Sequence, residues 1–167
     1  MIEKELDHSN MEIIGRLRQM PVFDSLNSAQ LREILRVSRL RKYDPGEVVI
    51  EEGAYDQHIF FLIGGDLSID RKGARVGRIR RLGDVFGEMG IIDGKPRSAS
   101  ITALTPSLCV VVDGAFLNRL SGADKLIAQA LFYRIFSEIL AERLRDTNQR
   151  VADLEQRLTE HGIAFED

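Results

Sequence analysis

The run Gly83-Asp84-Val85-Phe86-Gly87-Glu88-Met89-Gly90-Ile91-Ile92-Asp93-Gly94-Lys95-Pro96-Arg97-Ser98-Ala99 brings together residue types that can do chemistry in concert. It sets a glycine before a short helical turn, an acid at the start of that turn, and an arginine after a Gly-Lys-Pro bend. A helix N-terminus offers free backbone N–H groups and positive partial charge, and a glycine there lets a ligand approach the main chain closely. Such a place suits an anion. Arg97 adds a planar, permanently charged fork matched to two phosphate oxygens, and Ser98 adds a hydroxyl or N–H donor, so a singly charged phosphodiester fits. Glu88 looks misplaced beside a phosphate, unless the ligand also carries a hydroxyl such as the ribose 2′-OH, which an acceptor-only carboxylate can read. Phosphate plus ribose hydroxyl describes a nucleotide. The competing structural reading makes Glu88 an acid favouring the helix dipole and Arg97 its salt-bridge partner.

This run has to be held between strands. From Arg39 to Val112 the hydrophobic period is two: Arg39–Tyr43, Glu47–Ile50, His58–Ile63, Leu67–Ile69, a stretch with Val76 and Ile79 among arginines, Ser98–Leu104 and Leu108–Val112. Asp44-Pro45-Gly46, Gly53, Gly64-Gly65, Lys72-Gly73 and Thr105-Pro106 punctuate them as turns. Several short strands at even spacing predict an antiparallel sandwich or jelly roll. Helix is expected at both ends. Met11, Ile14, Leu17 and Met20 recur at helical spacing after possible caps at Ser9 and Asn10, and Pro21 stops them. A second short helix is expected over Ser28 to Val37, with Ser28 as cap and Leu31, Ile34 and Leu35 on one face.

A third helix is expected from about Asp124 to His161, roughly 57 Å long at 1.5 Å per residue. Along its distal half Leu140, Leu144, Thr147, Val151, Leu154 and Leu158 alternate steps of four and three, a coiled-coil seam. With Leu144, Val151 and Leu158 at a positions, Arg150 falls at g and Glu155 at e, the offset of an interchain pair in a parallel dimer. The alternative is one amphipathic helix folded back on its own core. The expected organisation is therefore an N-terminal helical segment at 1–21, a β-roll at 22–122 and the long helix at 123–167. The fold class is α+β, an antiparallel jelly roll with flanking helices.

Composition narrows the function. The 167 residues carry 23 basic and 26 acidic side chains, a net charge of -3, which lacks the overall basic field of a dedicated nucleic-acid binder. The local basic cluster Arg71, Lys72, Arg75, Arg78, Arg80 and Arg81 falls on a turn and on outward strand positions, where a solvated sheet face is expected. A single cysteine, Cys109, rules out a disulfide framework or a cysteine-held cluster within one chain, and within Leu108-Cys109-Val110 it reads as a small core residue. No apolar run approaches the roughly 20 residues that span a bilayer, and the acidic start is no signal peptide, so a cytoplasmic protein without membrane contact is expected. A metal-dependent jelly-roll enzyme would need clustered ligands, whereas His8, His58 and His161 are far apart in the chain; no metal and no catalysis are expected.

The run from Gly83 to Ala99 resembles the phosphate-binding cassette of the cyclic-nucleotide-binding domain family, which includes bacterial catabolite activators, protein kinase A regulatory subunits and cyclic-nucleotide-gated channels. The resemblance extends from about Val22 to Leu120 and takes in the Gly53 turn and Phe61-Leu62-Ile63-Gly64-Gly65-Asp66-Leu67. It implies that Gly87, Met89 and their neighbours present backbone amides, that Glu88 binds the ribose, and that Arg97, Ser98 and Ala99 bind the cyclic phosphate. The long helix is similar to the dimer helix of the catabolite activators, where base-capping polar residues lie, making Thr147 and Asn148 candidates for the base. Bottom-up, Thr147 could equally set coiled-coil register. Only Gly162 to Asp167 follow the helix, too few for a helix-turn-helix reader, so direct DNA binding is not expected.

These features point to a regulatory module that binds cyclic AMP, or cyclic GMP, and transmits that event through a homodimer helix to an unidentified protein effector. The alternatives are the sensor fragment of a longer transcription factor and a structural dimer whose pocket binds nothing or another effector. Ser98 could donate to a guanine edge, yet the position also tolerates adenine recognition in bacterial relatives, so cyclic AMP is favoured only over a close competitor.

Overall fold

The structure, a computed structural model, describes residues 1–5, 11–20, 23, 27–115 and 122–161. It divides into two bodies, residues Met1–Ile127 and Ala128–Asp167.

The first body is a β-roll of two antiparallel sheets. One sheet contains β1 (Ile2–Glu5), β2 (Ser38–Tyr43), β9 (Ser107–Asp113), β4 (His58–Gly64) and β7 (Val85–Phe86) in that order. The other contains β3 (Val48–Ile50), β8 (Ser100–Ala103), β5 (Leu67–Arg71) and β6 (Ala74–Ile79). Alternation decides what each strand buries. Phe60 and Leu62 of β4 look inward with Leu67, Phe86, Ile101 and Val111, and the Phe60 and Phe86 rings stack 5.0 Å apart. Burying a side chain of this size contributes about 1.5–3 kcal/mol, so this inter-sheet layer is the main source of the body's stability. Ile59 and Phe61, on the opposite face of β4, are also buried, and Phe23 packs its ring 5.1 Å from Phe61. A strand buried on both faces reads as the continuous run Ile59-Phe60-Phe61-Leu62-Ile63 rather than as an alternation.

Helices α1 (Met11–Arg18) and α2 (Ser28–Arg36) precede the roll. The expected cap residues Ser9 and Asn10, and the stop at Pro21, lie outside the described residues. At α2 the cap is Asn27 and not Ser28. Asn27 Oδ1 accepts from the Gln30 N–H at 3.0 Å while Gln30 Oε1 accepts from the Asn27 N–H at 3.0 Å, a reciprocal capping box. A further difference lies at the N-terminus, where residues 2–5 are a strand paired with β2 and not part of a helical segment. Glu3 joins this edge by accepting from Arg41 Nε at 2.5 Å.

The strands and turns expected between Arg39 and Val112 are present. Lys72 and Gly73 both adopt positive φ, 51° and 79°, the two left-handed residues that a tight β5–β6 hairpin requires. At Gly65, φ is 112° and an added Cβ would meet the Ser107 hydroxyl oxygen at 2.3 Å, so the backbone there passes too close to β9 for any side chain. Cys109 is buried in the inter-sheet layer, and burial pushes its thiol up to about 12, consistent with a core residue and not a reactive one.

Helix α4 (Gly122–Glu160) supplies the second body from Ala128 onward. In this single chain Leu140, Leu144, Val151 and Leu154 are exposed, Leu144 to 60%. Among the described residues, no helix is long and apolar enough to cross a membrane.

Candidate functional site

Three loops of the β-roll converge on the guanidinium of Arg97. The first is the turn between β3 and β4. Gly53, at φ 82°, donates its N–H to the Arg97 carbonyl at 2.8 Å, and the Arg97 N–H donates to the Ala54 carbonyl at 2.9 Å. Glu52 N–H donates to the Ser100 hydroxyl at 3.0 Å, which ties the same turn to β8. These bonds fix the backbone of Arg97 before its side chain is considered.

The second loop follows β7. Gly87 has φ 84°, and a Cβ on it would lie 2.7 Å from the His58 carbonyl and 2.8 Å from Arg97 Nη1. Only glycine fits, because both neighbours are fixed and the backbone is left-handed. Helix α3 (Met89–Asp93) follows directly, with Glu88 at its N-cap position and its carbonyl accepting from Ile91 N–H at 3.0 Å. The third loop ends that helix. Gly94 is left-handed at φ 66° and Asp93 Oδ1 accepts from the Lys95 N–H at 3.0 Å, so the chain reverses and delivers Arg97 back beneath Gly87.

The Arg97 side chain is buried to 4% exposure and is held on several sides. Its Nε donates to Asp56 Oδ2 at 2.9 Å, Nη2 donates to Asp56 Oδ1 and, at 2.7 Å, to the His58 carbonyl, and Nη1 donates to the Gly87 carbonyl. Burial pushes the Asp56 carboxyl up, but the Arg97 hydrogen bonds and charge, with the His58 backbone N–H and ring, outweigh it and hold the group at about 2. Asp56 is thus a permanent anion fixing the fork.

Among the sequence-nominated residues, the fold brings Gly87 and Arg97 into direct contact and places Glu88 next to them, buried to 1% exposure. Met89 and Ser98 are exposed and Ala99 is half-buried. Thr147 and Asn148 lie on α4 in the second body, both exposed; the Arg97 grouping is made wholly within the first. Asp56 and His58 join the grouping from outside the cassette run. Arg97's bidentate partner is Asp56, 41 residues away in sequence, and the local signal for it is an acid placed just after the Gly53 turn and before a strand.

The expected basic cluster is exposed at Arg71, Lys72, Arg75, Arg78, Arg80 and Arg81. Arg78 forms a bidentate pair with Asp66, Nε to Oδ1 at 3.0 Å, and Arg75 lies 3.5 Å from Asp70, so the hairpin carries part of its own neutralisation.

Comparison with known proteins defines the class. The sequence model of the cyclic nucleotide-binding domain matches residues 40–124. A cGMP-dependent protein kinase of Eimeria tenella is 29% identical over 126 residues, covering 75% of this chain and 12% of the kinase. A cAMP-dependent protein kinase regulatory subunit of Mycosarcoma maydis is 33% identical over 91 residues, 52% of this chain and 17% of the subunit. A cyclic nucleotide-binding domain from Methylobacillus flagellatus superposes with a TM-score of 0.71 at 21% identity, covering 85% of this chain and 82% of that one, a likeness of fold. The protein belongs to the cyclic nucleotide-binding domain family. It spans 12% and 17% of the length of the two kinase-related proteins.

Proposed function

We propose that the chain is a regulatory module that binds a cyclic mononucleotide, cyclic AMP in preference to cyclic GMP, and passes that event through α4 to a partner by binding and not by catalysis. The observation that carries this reading is the buried Arg97 fork set beneath Gly87, with buried Glu88 beside it. A guanidinium has five N–H donors. Four are engaged among the described residues: Nε once, Nη2 twice and Nη1 once. The remaining Nη1 donor is assigned to the phosphate, together with Ser98, Ala99 and the amides at Gly87 and Met89. Glu88 is assigned to the ribose 2′-OH. Because Asp56 already holds the fork, little side-chain entropy is lost when the ligand arrives.

Thr147 and Asn148 are assigned to the base on the strength of the resemblance alone. The exposed seam Leu140, Leu144, Val151 and Leu154 supports a parallel coiled-coil homodimer, since a helix with an uncovered apolar stripe gains by covering it. Ser98 could donate to a guanine edge, yet the position also tolerates adenine recognition in bacterial relatives, so cyclic AMP stands only a little ahead of cyclic GMP; of the two kinase-related proteins, one carries cyclic GMP in its name and the other cyclic AMP.

Titration calorimetry with both nucleotides tests the core of this reading. Binding of cyclic AMP with weaker binding of 5′-AMP is expected, because a rotatable dianion does not match a site shaped for a tethered monoanion. Absence of binding by either cyclic nucleotide at millimolar concentration would overturn it. Sedimentation of the wild type and of the doubly substituted Leu144→Asp, Val151→Asp chain tests the dimer: a monomeric wild type at tens of micromolar removes it.

A further inference from the structure

Strand β6 is an open edge of the four-stranded sheet. It pairs with β5 alone, and among the described residues none of its backbone groups bonds outside that ladder. Its outer N–H and C=O groups therefore face solvent, where another strand can reach them. Two apolar side chains stand exposed beside this edge, Val76 to 54% and, just after the strand, Leu82 to 38%. They lie within the basic cluster of the hairpin.

The cations of that cluster fall into two groups. Arg78 is neutralised by Asp66, and Arg75 lies 3.5 Å from Asp70. The exposed side chains of Arg71, Lys72, Arg80 and Arg81 have no ion-pair partner among the described residues. The nearest acids serve the main chain instead. Asp84 Oδ2 accepts from the Arg80 and Arg81 backbone N–H groups at 3.1 and 2.9 Å, and Glu52 Oε2 accepts from that of Lys72 at 2.9 Å. Six cations thus stand against four carboxylates, Glu52 included, and a positive surplus remains on a chain whose net charge is -3. Val76 is the extra residue of a β-bulge, since Ile69 faces Gly77 while Asp70 faces Arg75. Bulge and cations together keep a like-charged edge, such as β6 of a second copy, from pairing here. They do not repel an acidic strand.

We propose that the β6 edge is a docking site for an extended acidic segment of a partner protein. The segment adds to the sheet beside β6, sets its carboxylates against the four unpaired cations, and covers Val76 and Leu82 with apolar side chains of its own. Main-chain hydrogen bonds supply affinity, and the alternation of acidic and apolar side chains supplies specificity. A nucleic acid would use the cations but leave the strand edge and both apolar side chains idle, and its phosphates would meet the carboxylates of Asp66, Asp70 and Asp84. The surface lies outside the Arg97 cassette, so the proposal stands independently of nucleotide binding.

The experiment is fluorescence anisotropy on the full chain at about 20 mM salt, with a labelled peptide that matches the 6 residues of β6 and alternates glutamate with valine. Binding is expected, weakened about fivefold in the combined Arg80→Gln, Arg81→Gln variant and little changed in a Lys4→Gln, Arg145→Gln control that removes exposed cations elsewhere. The same peptide N-methylated at every residue keeps its charges but can donate no backbone hydrogen bond, and should bind less tightly than the parent. Hydrogen exchange should show new protection of β6 amides when the parent peptide is bound. Melting curves of the variants separate lost binding from misfolding. Absence of binding at that salt, equal affinity for wild type and the Arg80→Gln, Arg81→Gln variant, or equal affinity of the N-methylated peptide overturns the proposal. Tighter binding of a single-stranded oligonucleotide of the same charge overturns it as well.

Discussion

Among the described residues of the β-roll, two arginine–aspartate pairs are bidentate, Arg97–Asp56 at the cassette and Arg78–Asp66 on the β5–β6 hairpin, and they differ chiefly in burial. The Arg97 side chain is 4% exposed and that of Arg78 49%. Water screens the second pair and its long side chains lose entropy in forming it, so its net contribution is small. The first pair is shielded, and its guanidinium has two backbone carbonyls as further acceptors, at Gly87 and His58. A cation desolvated and then held by its own fold through four of its five donors is a scaffold for an incoming charge, whereas an exposed pair mainly keeps a surface soluble. The same side-chain chemistry thus serves two ends, and the surroundings decide which.

Breaking the buried member should have the largest effect. Arg97→Ala removes the side-chain cation assigned to the phosphate, a charge-assisted contact worth roughly 1.5–3 kcal/mol, so calorimetry should show Kd for cyclic AMP weakened at least about tenfold. Glu88→Gln should weaken binding less and shrink the preference for ribose over 2′-deoxyribose ligands. If Arg97→Ala binds within about twofold of wild type, a threshold set by ordinary scatter in such energies, Arg97 only holds a turn.

Gly87→Ala attacks the roof of the same cradle. Its Cβ would sit 2.7 Å from the His58 carbonyl in a left-handed backbone, so about 1–3 kcal/mol of stability should be lost, read as a lower melting temperature without ligand. Gly90→Ala is the control, since its Cβ would find nothing nearer than 3.5 Å and positive φ is not required there.

Acid titration sharpens the comparison further. The folded-state pKa of Asp56 is depressed from 3.8 to about 2, so its stabilising contribution is present above about pH 4 and is lost as pH falls through about 2. Denaturant unfolding of wild type and Asp56→Asn should show a stability gap that narrows across that window. A gap that stays constant would mean that Asp56 acts by shape and not by charge.

How much of this was legible in the sequence follows from how local each feature is. The cassette is one contiguous run, so the glycine, acid and arginine could be nominated together. The role of Asp56 was hidden because it depends on the Gly53–Arg97 backbone bond, which joins segments 44 residues apart. Strand β1 was hidden because Ile2-Glu3-Lys4-Glu5 is a short, charged edge strand, and β7 because two residues show no period. At α2 both Asn27 and Ser28 are good caps, and Gln30 settles the choice because a capping box needs its partner three residues after the cap.

The smallest expected effect belongs to the exposed pair. Arg78 sits on edge strand β6 with half its side chain in water, and Asp66 accepts from its Nε and Nη2. Asp66 is also partly accessible, so losing Arg78 would let water replace the guanidinium instead of stranding a buried charge. Arg78→Ala should therefore shift the unfolding midpoint only slightly, leave cyclic AMP affinity unaltered, and lose what small effect it has as salt is raised. Denaturant melts at low and high salt measure this directly. A loss comparable to that in Asp56→Asn, insensitive to salt, would show that the hairpin pair is structural and that burial does not separate the two forks.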